Sequence, residues 1–127
     1  MNKLYFLVAI LSLGILSSFT VIDCSILKNN SFEYKVGNKE IVVVFGEDEY
    51  IEYHEEKKYY IKSDIEWITD CEYNLIIQES TLPNFPFKTG TTMNIKVDRV
   101  KGKKVYYTAT LGGRTWEWKM VRIMKKK

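Results

Sequence analysis

Histidine occurs once in this chain of 127 residues, proline twice and cysteine twice. A zinc site needs three or four converging ligands, and His54 beside Glu55 and Glu56 in a charged turn does not supply them. Nucleophilic catalysis needs a base within reach of a serine or cysteine, and nothing near His54 supplies that partner. None of the glycines stands in a phosphate-cradling spacing ahead of a helix. The chain therefore reads as non-enzymatic, with no metal and no cofactor expected. Charge of one sign is also in short supply: 19 basic residues face 16 acidic ones, a net of +3. The basic excess lies at Lys125, Lys126 and Lys127 and around Lys101, Lys103 and Lys104, as a tail and a turn. Without a basic face interleaved with aromatics, nucleic acid is not an expected partner. The acidic residues Glu47, Asp48, Glu49, Glu52, Glu55 and Glu56 cluster around two turns and read as a solvated edge that discourages strand pairing. Their spacing is not that of an EF-hand loop.

There is one long apolar run, Leu4 to Leu16. Asn2 and Lys3 precede it; Ser17, Ser18 and Thr20 follow. That order, positive start, apolar middle, small residues, is the order of a secretory signal. The run is shorter than the roughly 20 apolar residues of a spanning helix. The expectation is a signal helix over residues 1–23 and one mature domain over residues 24–127, exported to the periplasm or beyond. A retained N-terminal anchor is the alternative. Both cysteines, Cys24 and Cys71, fall in the mature part, where export lets a disulfide persist. A Cys24–Cys71 bridge pins the mature N-terminus to the middle of the domain, worth on the order of 3–4 kcal/mol by loop closure. Acylation of Cys24 is the competing fate. It calls for a small residue directly before the cysteine, where Asp23 stands. Membrane association is expected only through the signal segment or such a lipid.

Beyond residue 30 the pattern turns to period two. Phe32 and Tyr34 open a strand that ends at Gly37-Asn38, a two-residue hairpin signal. Ile41 to Phe45 is continuously apolar, as a strand covered on both sides would be. Tyr50, Ile51 and Tyr53 form the next strand, and residues 59–68 another, with Ile61, Ile65 and Trp67 on one parity. Cys71, Tyr73, Leu75 and Ile77 alternate with polar residues. Pro83 and Pro86 mark residues 80–90 as the longest loop, since proline cannot donate to a sheet ladder. Three strands then follow with short turns: Met93, Ile95, Val97; Val105, Tyr107, Ala109, Leu111; and Trp116, Trp118, Met120. About eight strands joined this way predict an all-β, antiparallel up-and-down meander, closed or partly open as a small barrel. A transmembrane barrel is disfavoured, because several strands fall short of the roughly 9–11 residues a crossing needs.

Trp67, Tyr73, Tyr107, Trp116 and Trp118 fall on strands whose alternation assigns them to one face. They are the candidate ligand-binding residues, for a small apolar ligand held inside the barrel. The competing expectation is that they pack a filled core, in a structural, envelope-associated protein whose partner is another envelope protein. Phe85 and Phe87 in the proline loop are candidates for a lid or a recognition tip.

The stretch Ile65-Glu66-Trp67-Ile68-Thr69-Asp70-Cys71-Glu72-Tyr73-Asn74-Leu75, with Phe32 and Tyr34 ahead of it and a cysteine at the mature start, resembles a group of small exported proteins of Bacteroidetes-type bacteria. The resemblance spans most of residues 24–123 and implies an exported β fold without a known activity. Some of those proteins carry a topoisomerase label. This chain argues against that activity, which needs a tyrosine nucleophile beside metal-binding carboxylates on a much larger scaffold. In strand count the chain is also weakly similar to lipocalins. Their Gly-x-Trp is missing: the first strand reads Ser31-Phe32-Glu33-Tyr34.

Overall fold

The structure is a computed structural model and describes residues 21–124. The expected signal helix and most of its segment lie outside those residues. Eight strands follow in order: β1 (Ser31–Val36), β2 (Lys39–Phe45), β3 (Glu49–His54), β4 (Tyr59–Thr69), β5 (Glu72–Ser80), β6 (Thr92–Lys101), β7 (Lys104–Leu111) and β8 (Arg114–Ile123). Each pairs antiparallel with the next, and β8 returns to β1 through Ser31–Ile123, Phe32–Arg122 and Glu33–Val121. The meander is thus a closed barrel. Closure satisfies the two edges that an open sheet of this length would leave unpaired.

Strand alternation sends one set of side chains inward. Phe32, Ile41, Val43, Phe45, Ile65 and Leu75 are buried, as are Ile95, Val97, Val105, Ala109 and Met120. Turns alternate between the two barrel ends. Those after β2, β4 and β6 share one end with the N-terminal segment. Those after β1, β3, β5 and β7 share the other.

The first end is plugged. Residues 24–30 fold across it, with the Leu27 amide donating to the Cys24 carbonyl and the Phe45 amide to the Asn30 carbonyl. Leu27 is wholly buried. Cys24 is bonded to Cys71 in the β4–β5 turn, just ahead of β5. Below the plug, Phe32, Phe45 and Tyr73 form a chain of edge-to-face rings, 5.5 and 5.7 Å between centroids. Such pairs add about 0.5–1.5 kcal/mol each beyond their buried area.

The second end is built from tight turns. Gly112 and Gly113 both have positive φ (54° and 82°), the conformation of a two-residue hairpin that suits the twist of β7 and β8. The β3–β4 turn achieves a similar reversal without glycine: Glu55, Glu56 and Lys57 have φ of 50°, 55° and 72°. Left-handed backbone strains an L side chain. Lys57→Gly is therefore expected to raise stability by about 0.5–1 kcal/mol, net of the freedom glycine adds to the unfolded chain. A denaturant midpoint at or below that of the parent would refute this.

Candidate functional site

Beside the packed half, the barrel holds a cavity of about 330 Å³ that opens at the unplugged end. This lies at the small end of the range for ligand sites, roughly 300–1,000 Å³. Its position follows from the strands. Val36 ends β1, Met93 is second in β6 and Trp116 is third in β8, and all three line the void. The room comes in part from Ala109, a small side chain at an inward position, paired with Ile95 on one side and Trp116 on the other. A methyl there leaves unfilled the volume that a leucine would occupy.

Six aromatic rings line the cavity: Tyr34, Tyr50, Tyr73, Tyr107, Trp116 and Trp118. Tyr73 and Tyr50 both pack edge-on against Phe45 and so belong to the floor as well as to the core. Trp116 and Trp118 stand two apart on β8 at the rim. They are 42% and 44% exposed, large apolar surface left to solvent at a concave mouth.

One charged side chain reaches this space, that of Glu52. On β3 the inward set is Tyr50, Glu52 and His54, because Val43 of β2 pairs with Glu52 and is itself buried. The Tyr34 hydroxyl donates to Glu52 Oε1 from across β2. His54 Nε2 lies 3.0 Å from Glu52 Oε2. Both side chains of the His54–Glu52 pair are largely buried, 18% and 16% exposed. The phenols around this carboxylate are hard to ionise. Burial pushes the Tyr34, Tyr50 and Tyr107 hydroxyls well above their ordinary value, and the Glu52 charge pushes each further. Tyr73 is pushed up by burial and, less, by Tyr107.

No family model, curated protein or solved structure matches the chain. The functional reading therefore rests on the site itself.

Of the five aromatic residues expected to share a face, Tyr73, Tyr107, Trp116 and Trp118 line the cavity. Trp67 is not among its lining residues. It stands at the plugged end, its ring 5.0 Å from that of Tyr73, with the Lys28 ammonium over its ring and its indole N–H donating to the Glu47 carbonyl at 3.4 Å. Cys24 and Cys71 are joined as expected. Phe85 and Phe87 pair with each other, 5.5 Å apart, and are likewise not among the residues lining this cavity.

Two expectations from the sequence need correction. His54 is not an exposed turn residue: it ends β3 with its ring on Glu52. Glu52 does not belong to a solvated edge, since the barrel is closed and its side chain points inside. Sequence reasoning missed Glu52, Tyr34 and Tyr50 as site residues. The available signal was slight: Tyr50, Glu52 and His54 share a parity, but so do the more apolar Ile51 and Tyr53.

Proposed function

We propose that this is an exported, non-enzymatic β barrel that binds a small, largely apolar ligand in the aromatic cavity. The observation that carries this reading is a void of about 330 Å³, walled by six aromatic rings and open at one end, in a barrel whose other half is solidly packed. A protein selected only for a filled core has no use for inward Ala109 opposite a half-exposed Trp116. Residence in the periplasm or outside the cell is supported by the signal-like start, and the Cys24–Cys71 bridge is compatible with an oxidising compartment. The likeness of residues 65–75 to small exported proteins of Bacteroidetes-type bacteria points the same way. The Cys24–Cys71 pairing favours the bridge over acylation as the fate of Cys24.

The test uses tryptophan emission, since Trp116 and Trp118 are two of the three tryptophans. A panel of small aromatic and alkyl compounds is titrated into the mature protein. A saturable change in emission is expected for at least one, abolished in Ala109→Leu, whose cooperative thermal unfolding shows that it still folds. If no compound saturates, and native mass spectrometry of protein from its own envelope finds no small-molecule adduct, the cavity reading fails. The barrel is then better read as a structural envelope protein.

A further inference from the structure

We infer that the cavity ligand is a small organic cation, an ammonium group on an apolar body, whose head sits against Glu52 within the ring of aromatic faces. The inference rests on the cavity being a ligand site, and it names the class of ligand.

Three observations converge. First, among the described residues Glu52 is the sole formally charged side chain lining the void, and no lysine, arginine or histidine lines it. The lining thus presents a carboxylate to the void, and His54 bonds that carboxylate at 3.0 Å without itself lining the cavity. Second, six aromatic rings line the same void as that charge. Tyr34 and Tyr50 stand on β1 and β3, Tyr73 and Tyr107 on β5 and β7, and Trp116 and Trp118 on β8. The face of an aromatic ring is its negative pole, and a desolvated cation among several such faces is the arrangement found in aromatic cages for alkylammonium groups. Third, the carboxylate keeps accepting capacity. Tyr34 takes one oxygen and His54 the other, whereas a carboxylate offers about four lone-pair directions.

A purely structural role for Glu52 accounts for less. Removing a carboxylate from water is costly, and a glutamine could also accept from Tyr34, through a weaker neutral bond. What a glutamine cannot do is present a negative charge to the void. The field of that charge reaches the surrounding rings, since Glu52 is the second cause, after burial, of the resistance of Tyr34, Tyr50 and Tyr107 to ionisation. An anionic ligand would meet repulsion there, and a neutral one would leave the carboxylate's remaining accepting directions unused.

The probes are benzyltrimethylammonium, its uncharged carbon isostere neopentylbenzene, and the anion 3-phenylpropionate. Binding to the mature, disulfide-intact protein is read by tryptophan emission and by calorimetry. The cation is expected to bind at least about tenfold more tightly than the isostere, and the anion not measurably. In Glu52→Gln the preference for the cation should collapse to about twofold or less while the isostere binds as before. Equal affinity of cation and isostere in the parent protein overturns this inference and leaves the apolar-ligand reading standing. A preference that survives in Glu52→Gln also overturns it. If none of the probes binds, this inference falls, and the apolar-ligand reading is then decided by the wider compound panel and native mass spectrometry. Should Glu52→Gln not fold, the comparison of cation with isostere in the parent still decides.

Discussion

Replacing both bridge cysteines, as Cys24→Ala with Cys71→Ala, is expected to lower stability by about 3–4 kcal/mol. The bridge spans 47 positions, so its loss frees a long loop in the unfolded chain. In a domain this small the whole margin is about 5–15 kcal/mol, so the fall is a large fraction of it. The melting temperature should drop by roughly 15–25 °C. The loss has a particular place. Beside the bridge, residues 24–30 are held over the barrel end by Leu27 in the core, by the Asn30 carbonyl that accepts from Phe45, and by Lys28 near Asp70 and over Trp67. The Lys28–Asp70 pair is solvent-facing and 3.8 Å apart, so it adds little. Once the bridge is gone, the plug should open before the barrel does. Amide exchange at residues 24–30 should quicken ahead of that in β6 and β7. A drop of only a few degrees, with the plug still protected from exchange, would mean that Leu27 and its neighbours hold the segment without the covalent link.

Much of this architecture was legible in the sequence, and the reason is periodicity. In β6, β7 and β8 apolar and polar residues alternate cleanly, so Ile95, Val97, Val105, Ala109 and Met120 could be assigned to the inner face, and all five are buried there. Hairpin glycines at Gly37 and Gly112-Gly113 bounded the strands. Closure through β1 and β8 was left open because a seam of three residue pairs has no signature of its own. Parity assigns a residue to a face but not to a height along the barrel axis. Trp67 illustrates this: it shares a parity with inward Ile65, but register places it by the plug, away from the cavity. Parity also fails where both faces are apolar. In β2 and β3, Val42 pairs with Tyr53 and Val44 with Ile51 on the outside, so the outer row looked as much like core as the inner one. Glu52 therefore remained hidden among its acidic neighbours until pairing with Val43 turned it inward.

A second large effect is expected at alkaline pH, where the barrel should unfold steeply above about pH 10. Four phenols, those of Tyr34, Tyr50, Tyr73 and Tyr107, are held protonated in the folded state well past their ordinary value of 10.0. The unfolded chain releases these protons near pH 10, whereas the native barrel keeps them. Below that pH the two states bind the same number and stability is unaffected. Above it the native state binds more, so stability falls as pH rises. Each phenol contributes a slope of up to about 1.4 kcal/mol per pH unit, and four acting together up to about 5. Urea midpoints measured from neutral pH upward should be level to about pH 9 and then drop sharply. Tyr73→Phe removes one such phenol and should relieve about a quarter of the slope, once its own cost at neutral pH is subtracted. Glu52→Gln should leave the slope nearly unchanged just above pH 10, because burial is the leading cause for all four groups. Tyrosinate absorbance should show a delayed fraction that rises together with the loss of tryptophan and backbone signals. Were that absorbance instead to rise smoothly around pH 10 with the fold intact, water would have free access to the phenols. The cavity would then be no low-dielectric compartment, and a cation beside Glu52 would gain little there over bulk solvent.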